Sequence, residues 1–256
     1  MQLARCLALE GVPRVAHAFS AGRGREGSVF DLGAHDSVER SIVERRRIFM
    51  RAAGLAGRRP TMLRQVHGAR LVDTAGLDDS DDPPPADGAL VLERDRSAWC
   101  PAVRTADCVP LLVAAEDGSA VAAVHAGWRG VTGGIVKRAV ALLRERDVLA
   151  SRLVAAVGPA IGGCCYEVGD EVAEAVARAA GADVSRLTRR HGKRLRLHLG
   201  LAVRLQLSWA GLSDEAIHVA PWCTACSNGL FFSYRREGAG TGRQMACIGW
   251  PGPGPP

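Results

Sequence analysis

Apolar residues follow two different spacings along this 256-residue chain. Between about Ser37 and Leu55 they recur every three or four positions among charged residues, which predicts a helix that ends near Gly54 and Gly57. The same helical spacing recurs in two later segments, 132–146 and 170–180. Short continuous apolar runs are typical of buried strands. Three such runs are 109–114, 120–124 and 153–157, and the segment 86–92 is also expected to begin a strand.

The segment 109–124 contains the clearest local prediction. Its two apolar runs flank Glu116-Asp117-Gly118-Ser119, a charged sequence typical of a hairpin turn. Two antiparallel strands of equal length place the residue before the first strand beside the residue after the second. We therefore expect Cys108 and His125 to lie side by side at one end of this hairpin.

Strands joined as hairpins and interleaved with helices favour an α+β fold over a doubly wound parallel sheet. We expect residues 1–250 to form a single domain. The segment 78–85 is rich in aspartate and proline but too short for a domain linker, so a loop is predicted there. The Pro/Gly segment 251–256 is predicted to be disordered.

Composition narrows the class of protein. The chain is 47% hydrophobic and carries a net charge of +6, which comes almost wholly from arginine because Lys137 and Lys193 are its only lysines. Arginine forks match phosphate geometry, so a phosphate-bearing substrate is compatible with this charge. The basic runs 45–47 and 189–196 are more typical of a solvated face, since no aromatic stacking platform accompanies them. We therefore expect no nucleic-acid partner.

Compartment and redox state follow from the same composition. We detect no signal peptide and no apolar stretch long enough to cross a membrane, so a cytoplasmic protein without a membrane partner is expected. The eight cysteines are then expected to be reduced thiols. The adjacent Cys164 and Cys165 are interpreted as buried small apolar residues. The pair Cys223 and Cys226 has CxxC spacing, which fits either half of a zinc site or a redox pair.

Three distant segments each contain a borderline or soft metal ligand. They are Gln65-Val66-His67-Gly68, Thr105-Ala106-Asp107-Cys108 and Val124-His125-Ala126-Gly127-Trp128-Arg129-Gly130. Any one of these ligands alone is more often a packed core residue. Together, His67, Cys108 and His125 predict a three-ligand metal site, and three protein ligands with an open fourth position are typical of catalytic zinc.

Neighbouring residues suggest how a substrate would bind. Glycines around Gly127 open a helix, where backbone N–H groups could approach an anion with Arg129 beside them, although a tight turn explains these glycines equally well. Arg23 and Arg235 are further candidates for binding phosphate. Asp107 could orient a ligand or act as an acid or base, or it could cap a turn.

Longer motifs connect these segments to a known family. They include AVHAGWRG at 123–130, TADC at 105–108, GPAIG with CCYEVG at 158–169, and FFSYRR at 231–236. The chain resembles the YfiH/YlmD-like laccase-domain proteins, also called multicopper polyphenol oxidase-like, which are regarded as purine nucleoside phosphorylases with adenosine deaminase activity. The resemblance implies a mixed β-sandwich flanked by helices and a zinc ion held by His67, Cys108 and His125. It also implies phosphate and adenosine, inosine or methylthioadenosine as substrates.

Several positions depart from the family pattern. They are Ala21-Gly22, Arg45, His198 and Val203, and they leave open which residues contact phosphate and ribose. The preferred nucleoside and the oligomeric state are also open.

Three alternatives use the same residues. A copper-dependent polyphenol oxidase would need several further histidine clusters, but none of the remaining histidines forms an HxH pair. A metal-free cysteine hydrolase would use Cys108 as nucleophile and His125 as base. A binding protein with structural zinc would recruit Cys223 or Cys226 as a fourth ligand.

Overall fold

The computed structural model describes residues 2–24, 28–34, 37–77, 84–95, 98–192, 194–227 and 229–252. Most of the predicted loop 78–85 and of the predicted disordered tail 251–256 lies outside these residues. Within them the strands are β1 Leu3–Ala4, β2 Ala16–Ser20, β3 Arg59–Pro60, β4 Leu71–Asp73, β5 Gly88–Leu92, β6 Trp99–Cys100, β7 Ala102–Thr105, β8 Val109–Ala115, β9 Ala120–Ala126, β10 Leu153–Val157, β11 Glu167–Val168, β12 Thr188–His191, β13 Arg194–Leu197, β14 Ile217–Val219 and β15 Gln244–Gly249. The α-helices are α1 Leu7–Glu10, α2 Arg40–Ala52, α3 Trp128–Thr132, α4 Ile135–Arg144, α5 Asp170–Ala179, α6 Val184–Leu187, α7 Leu199–Trp209 and α8 Tyr234–Glu237.

Two larger sheets form the body of the protein. The six-stranded sheet has the order β14-β10-β8-β9-β5-β4, and the four-stranded sheet has the order β1-β2-β15-β7. All pairs in the smaller of these sheets are antiparallel, whereas the outermost pairs of the larger sheet are parallel. Smaller sheets are formed by β11-β13-β12 and by β3-β6.

The apolar core lies between these sheets and on their outer faces. Alternate residues of a strand point to opposite faces. Along β8, Leu112 packs in a cluster with Phe19 and Ile248 of the four-stranded sheet, whereas Leu111 packs in a different cluster with α4, α5 and α7. On the far side, Phe49 of α2 packs with Ala18, Met245 and their neighbours of the four-stranded sheet. The protein is therefore a mixed β-sandwich flanked by helices, and the predicted α+β fold is confirmed.

The predicted hairpin is confirmed as well. Strands β8 and β9 pair antiparallel with Val109 opposite Ala126 and Pro110 opposite His125. The turn between them includes Gly118, whose φ of +75° is one that glycine tolerates best. Cys108 directly precedes β8, so this register places it next to the end of β9.

One predicted helix has the wrong start. A single helix was predicted over 132–146, but α3 ends at Thr132 and α4 begins at Ile135. Gly134, with a φ of +81°, separates the two helices. The helix predicted at 37–55 is present as α2 and is followed by Gly54 with φ +83°. Among the described residues, no helix combines the length and apolar character needed to cross a bilayer.

Candidate active site

The three predicted metal ligands meet at one end of the six-stranded sheet. His67 lies in the loop between β3 and β4, Cys108 precedes β8, and His125 lies in β9. Their potential ligand atoms all lie within 4.8 Å of one another. The two imidazole rings are nearly perpendicular, with centroids 4.9 Å apart. We call these three residues the His/Cys/His cluster.

A buried carboxylate, Asp87, holds two members of this cluster. Its Oδ1 accepts hydrogen bonds from His125 Nδ1 at 2.8 Å and from the backbone N–H of His67 at 2.9 Å. Its Oδ2 accepts from the N–H groups of Gly68 at 2.7 Å and Val66 at 3.2 Å. With Nδ1 of His125 occupied in this way, Nε2 is the ring nitrogen available to the cluster.

Sequence analysis assigned Asp87 no chemical role. Its side chain is completely buried, and it directly precedes the apolar strand β5. A carboxylate at that position is the signal that could have been used, because a buried charge requires hydrogen-bond partners. Burial alone would raise the pKa of Asp87, but hydrogen bonds from His125 and from the Gly68 N–H outweigh burial and lower it. Asp87 therefore stays ionised and acceptor-only.

The loop that carries His67 is also tied to β7. The side chain of Gln65 accepts a hydrogen bond from the N–H of Arg104 at 2.9 Å and donates to the carbonyl of Arg104 at 2.8 Å. Between the Gln65 and Asp87 contacts, His67 adopts a φ of +60°. Such a conformation is uncommon for a non-glycine residue and persists where surrounding contacts enforce it.

Gly127 leaves room for the cluster. A Cβ at this position would lie 3.1 Å from Cys108 Sγ and 3.1 Å from His67 Cδ2. Its φ of −71° is available to any residue, so the requirement here is for space and not for backbone freedom. Two imidazoles and one thiolate around such a space fit a borderline transition metal, with zinc and copper both compatible with the donor set.

The electrostatics of the cluster favour a thiolate. Burial opposes ionisation of Cys108, yet attraction to His125 and hydrogen bonds from both imidazoles outweigh it and lower the thiol pKa to about 6. Burial would lower the pKa of His125, but the charge at Cys108 and the hydrogen bond to Asp87 raise it to about 9. The thiolate is the form of cysteine that binds metals and acts as a nucleophile.

Asp107 lies beside the cluster in a strained backbone conformation, with φ +106°. Its Oδ1 accepts the hydroxyl hydrogen bond of Thr224 at 2.6 Å, and its Oδ2 accepts the backbone N–H of Arg235 at 2.7 Å. Its carbonyl accepts from the N–H of Ile161 at 2.9 Å. Sequence analysis did not single out Thr224, because this contact joins residues that are 117 positions apart.

The cluster opens into a cleft of about 570 Å³. This volume lies in the range of small-molecule sites, roughly 300–1,000 Å³. The walls combine aromatic, aliphatic and basic side chains. They include Gln65, Arg104, Tyr166, Leu199, Tyr234, Arg235 and Arg243. An anion with an apolar ring system is the chemical class of ligand that this lining suits.

The predicted substrate arginines occupy different places. Arg235 lines the cleft, stacks over the Tyr166 ring at 5.2 Å and donates to the carbonyl of Glu167. Arg129 is exposed and stacks on Trp128, while Arg23 pairs with Glu237 at 3.0 Å. Of the described residues, neither Arg129 nor Arg23 belongs to the cleft lining. Gly127 contributes its backbone beside the cluster.

The departures from the family pattern have structural roles. Val203 is completely buried in α7, and His198 precedes that helix and accepts the N–H of Leu201 at 3.1 Å. Arg45 donates to the carbonyl of Asp31, and Ala21 is buried. None of these residues lines the cleft in the described part of the chain.

The remaining cysteines of interest form a second group. Cys164, Cys165, Cys223 and Cys226 have sulfur atoms that all lie within 4.8 Å of one another, and we call them the four-cysteine cluster. The interpretation of Cys164 and Cys165 as buried apolar residues is wrong, because Cys164 is exposed and Cys165 is half-buried. Loops after β10 and after β14 bring the two pairs together, which their spacing in the sequence did not indicate.

The fold is an α+β sandwich, and its His/Cys/His cluster lies at the end of a cleft with basic side chains. These features define the class of candidate metal-dependent enzymes. A sequence model of the multi-copper polyphenol oxidoreductase laccase family matches residues 23–251. The chain therefore belongs to this family, and the resemblance noted from its motifs is confirmed.

Individual relatives agree with this assignment. The chain is 36% identical over 230 residues to purine nucleoside phosphorylase YlmD from Geobacillus stearothermophilus, covering 86% of this chain and 82% of the relative. It is 34% identical over 193 residues to adenosine deaminase RL5 from an unknown prokaryotic organism, covering 73% of each. The crystal structure of YlmD from Geobacillus stearothermophilus superposes with a TM-score of 0.84 at 31% identity, covering 98% of this chain and 97% of that chain. These relatives support an enzymatic role.

Proposed function

We propose that this protein is a zinc-dependent purine nucleoside phosphorylase with additional adenosine deaminase activity. The observation that carries the proposal is the cleft that joins the His/Cys/His cluster to Arg104, Arg235 and Arg243. It offers a metal-binding end and a basic wall within a volume suited to a nucleoside. The names of the relatives YlmD and RL5 supply the two reactions.

In this proposal His67, Cys108 and His125 bind the zinc ion. A zinc ion held by these residues would supply Lewis acidity and would lower the pKa of bound water. Asp87 orients the His125 imidazole and holds the His67 backbone, so both residues are positioned before substrate arrives. His67 is the exposed member of the cluster and lies on the cleft wall, which leaves the cluster accessible from the cleft.

For phosphorolysis, the bond between ribose C1′ and purine N9 breaks as a phosphate oxygen bonds to C1′. The electron pair of the broken bond goes to the purine, which takes up a proton, and ribose 1-phosphate is the second product. Arg235 and Arg243 are the cationic groups we assign to phosphate, with Arg104 beside them. Asp107 acts as a positioning residue, because both of its carboxylate oxygens already accept hydrogen bonds from the protein.

Product analysis tests the proposal. Metal-quantified protein is incubated with adenosine, with and without phosphate, and the products are separated by liquid chromatography. We expect adenine and ribose 1-phosphate only when phosphate is present, and inosine as the deamination product. Adenosine, inosine and methylthioadenosine that all stay intact would contradict the proposal. Single alanine variants of His67, Cys108 and His125 are expected to lose zinc and turnover together.

A matched pair of arginine variants tests the phosphate assignment. Arg235→Gln removes a cation from the cleft wall, whereas Arg129→Gln removes one that stacks on Trp128 outside the cleft lining. We expect the first variant to raise KM for phosphate at least tenfold and the second to leave it near wild type. Equal effects of the two substitutions would show that Arg235 is not the phosphate ligand.

A cysteine hydrolase is the second candidate, and one observation favours it. Cys108, His125 and Asp87 form a continuous chain from thiolate to imidazole to carboxylate, as in nucleophilic triads. Metal dependence separates the two candidates. Activity that persists after chelation and disappears on alkylation of Cys108 would favour the hydrolase, whereas activity restored by stoichiometric zinc would favour the phosphorylase. Copper content with phenol turnover would instead indicate the polyphenol oxidase named by the family.

A further inference from the structure

A second sulfur-rich site lies outside the cleft lining. Cys164 and Cys165 belong to the loop between β10 and β11, and Cys223 and Cys226 belong to the segment between β14 and α8. Cys164 Sγ lies 3.6 Å from Cys226 Sγ, and all four sulfurs lie within 4.8 Å of one another. Four cysteines from two segments of the chain thus converge on a single point.

These separations match a tetrahedral metal site. Zinc–sulfur bonds of about 2.3 Å place the sulfurs of a four-thiolate site about 3.8 Å apart. A disulfide would require a sulfur–sulfur distance of about 2.05 Å, much shorter than the 3.6 Å between Cys164 Sγ and Cys226 Sγ. The gathering of all four sulfurs within 4.8 Å of one another is compatible with four ligands around one cation.

The surrounding backbone provides a hydrogen-bond donor to Cys223 and space for the approach of the two loops. The N–H of Gly162 donates to Cys223 Sγ at 3.2 Å. A Cβ on Gly162 would lie 3.2 Å from Cys164 Sγ and 3.3 Å from Cys223 Cβ, so the glycine permits the close approach of the two loops. Backbone donors to a ligating sulfur are typical partners of metal sites. Cys164 and Cys223 line a groove whose walls also include Arg186 and Arg189.

We propose that Cys164, Cys165, Cys223 and Cys226 together bind one structural zinc ion, separate from the His/Cys/His cluster. On binding, the four thiols lose four protons to solvent and their sulfurs form four bonds to zinc, with no change in oxidation state. All four ligands come from the protein, which is characteristic of a structural site. The proposal does not depend on the purine chemistry proposed above.

The proposed site connects directly to the cleft. Thr224, next to Cys223, donates its hydroxyl hydrogen bond to Asp107. On the other side of the cluster, Tyr166 follows Cys165 and lines the cleft beneath Arg235. Zinc bound to the four-cysteine cluster therefore cross-links the two segments that position Asp107 and Arg235.

Metal content per chain tests the proposal. We expect two zinc ions per wild-type chain by mass spectrometry of the metals, and one in Cys164→Ser or Cys226→Ser. The matched control is Cys6→Ser, a half-buried cysteine outside both clusters, which should retain both ions. Wild-type protein with a single zinc ion, unchanged by Cys226→Ser, would overturn the proposal.

Cobalt substitution isolates the second site. In the His67→Ala variant, which lacks a ligand of the first cluster, cobalt should give the strong sulfur-to-metal charge-transfer absorption of a four-thiolate site. Adding Cys226→Ser should remove most of that absorption, whereas Cys226→His should retain tetrahedral cobalt, because three cysteines and one histidine also bind such metals. Absence of thiolate absorption in the single variant would overturn the assignment.

If the serine variants do not fold, two measurements on the wild-type chain show whether the four cysteines bind zinc. X-ray absorption at the zinc edge should show sulfur in excess of nitrogen, since the two sites together supply five cysteines and two histidines. Intact mass after purification under air should equal that of the fully reduced chain. A mass lower by two hydrogens with Cys164 joined to Cys226 would indicate a disulfide and overturn the zinc assignment.

Discussion

Asp87 provides the sharpest test of how the His/Cys/His cluster is held. Replacing it by asparagine keeps the size and shape of the side chain but removes its charge and converts one oxygen into an NH2 group. The two carboxylate oxygens accept four hydrogen bonds, two each. At the Oδ2 position the NH2 group would face the N–H donors of Gly68 and Val66, with which it cannot bond. At the Oδ1 position it would face the N–H of His67 and could bond His125 Nδ1 only if the imidazole moved its proton to Nε2, the nitrogen that the cluster needs.

The expected magnitude follows from these contacts. Hydrogen bonds to a charged group contribute about 1.5–3 kcal/mol each, so two lost bonds at a fully buried position correspond to about 3–6 kcal/mol. Removal of the carboxylate partner of a ligating histidine lowers metal affinity about 10–100-fold. We therefore expect Asp87→Asn to fold with reduced stability and to bind zinc at least tenfold more weakly.

Two assays measure these effects separately. Urea unfolding of the metal-free protein gives the change in the free energy of unfolding, and competition with a chromophoric chelator gives the change in zinc affinity. The matched control is Asp117→Asn in the turn between β8 and β9. Asp117 accepts the N–H of Ser119 there, at 2.9 Å, and an asparagine oxygen can accept the same bond. The control should change either quantity by less than about 0.5 kcal/mol.

The changes in zinc affinity and in stability together decide the role of Asp87. An Asp87→Asn protein with wild-type zinc affinity would show that Asp87 does not orient His125. Loss of stability without loss of zinc affinity would reduce Asp87 to a structural residue of the loop. Only a coupled decrease supports its role in positioning the cluster.

Three further predictions address other parts of the molecule. Gly127→Ala should weaken zinc binding about tenfold because its Cβ would crowd the cluster sulfur, whereas Gly240→Ala, whose Cβ would have open space, should not; equal affinities would contradict the crowding argument. Burial lowers the pKa of His17 from 6.5 to about 4. As the pH falls from 6.5 to 4, the unfolded chain therefore binds a proton that the folded chain does not, and the free energy of unfolding decreases by about 3 kcal/mol in total. His17→Gln should remove that part of the acid dependence in urea titrations at pH 7 and 4.5, and an unchanged difference would refute it. Thr224→Val should lower kcat/KM about tenfold while the zinc content stays at its wild-type value, because it removes a hydrogen bond to Asp107 and no metal ligand; loss of zinc would instead indicate a structural defect.

The extent to which the fold could be predicted depended on the length of each element. Apolar patterns identified the hairpin of β8 and β9 and the helices α2 and α5, because each spans enough residues to show a period. Strands of two or three residues, such as β1 and β14, have no measurable period. The break at Gly134 depended on a positive φ that apolar spacing does not report.

The parts of the site that could be predicted were those set by local structure, and the parts that could not were those set by contacts between distant segments. The proximity of Cys108 to His125 follows from the register of a local hairpin, so the amino-acid pattern alone is sufficient to predict it. The position of His67 beside these two residues depends on a contact with Asp87, which no local sequence pattern encodes. The four-cysteine cluster joins two loops that are about 60 residues apart, and each cysteine pair alone had a simpler interpretation.

Asp107, whose backbone is strained, lies between the His/Cys/His cluster and the four-cysteine cluster: it precedes Cys108 and accepts a hydrogen bond from Thr224, which follows Cys223. A non-glycine residue with positive φ costs about 1–3 kcal/mol and persists only where its surroundings enforce it. The enforcing groups are the Ile161 N–H, the Thr224 hydroxyl and the Arg235 N–H. Ile161 and Thr224 belong to the two segments that meet at the four-cysteine cluster, and Arg235 lies in α8, which follows the second segment. None of them belongs to the strands β8 and β9 that carry Cys108 and His125 into the site. If zinc is lost from the four-cysteine cluster, β8, β9 and the Asp87 contact of His67 should therefore keep the His/Cys/His cluster in place while Asp107 relaxes, and turnover should fall before global stability does.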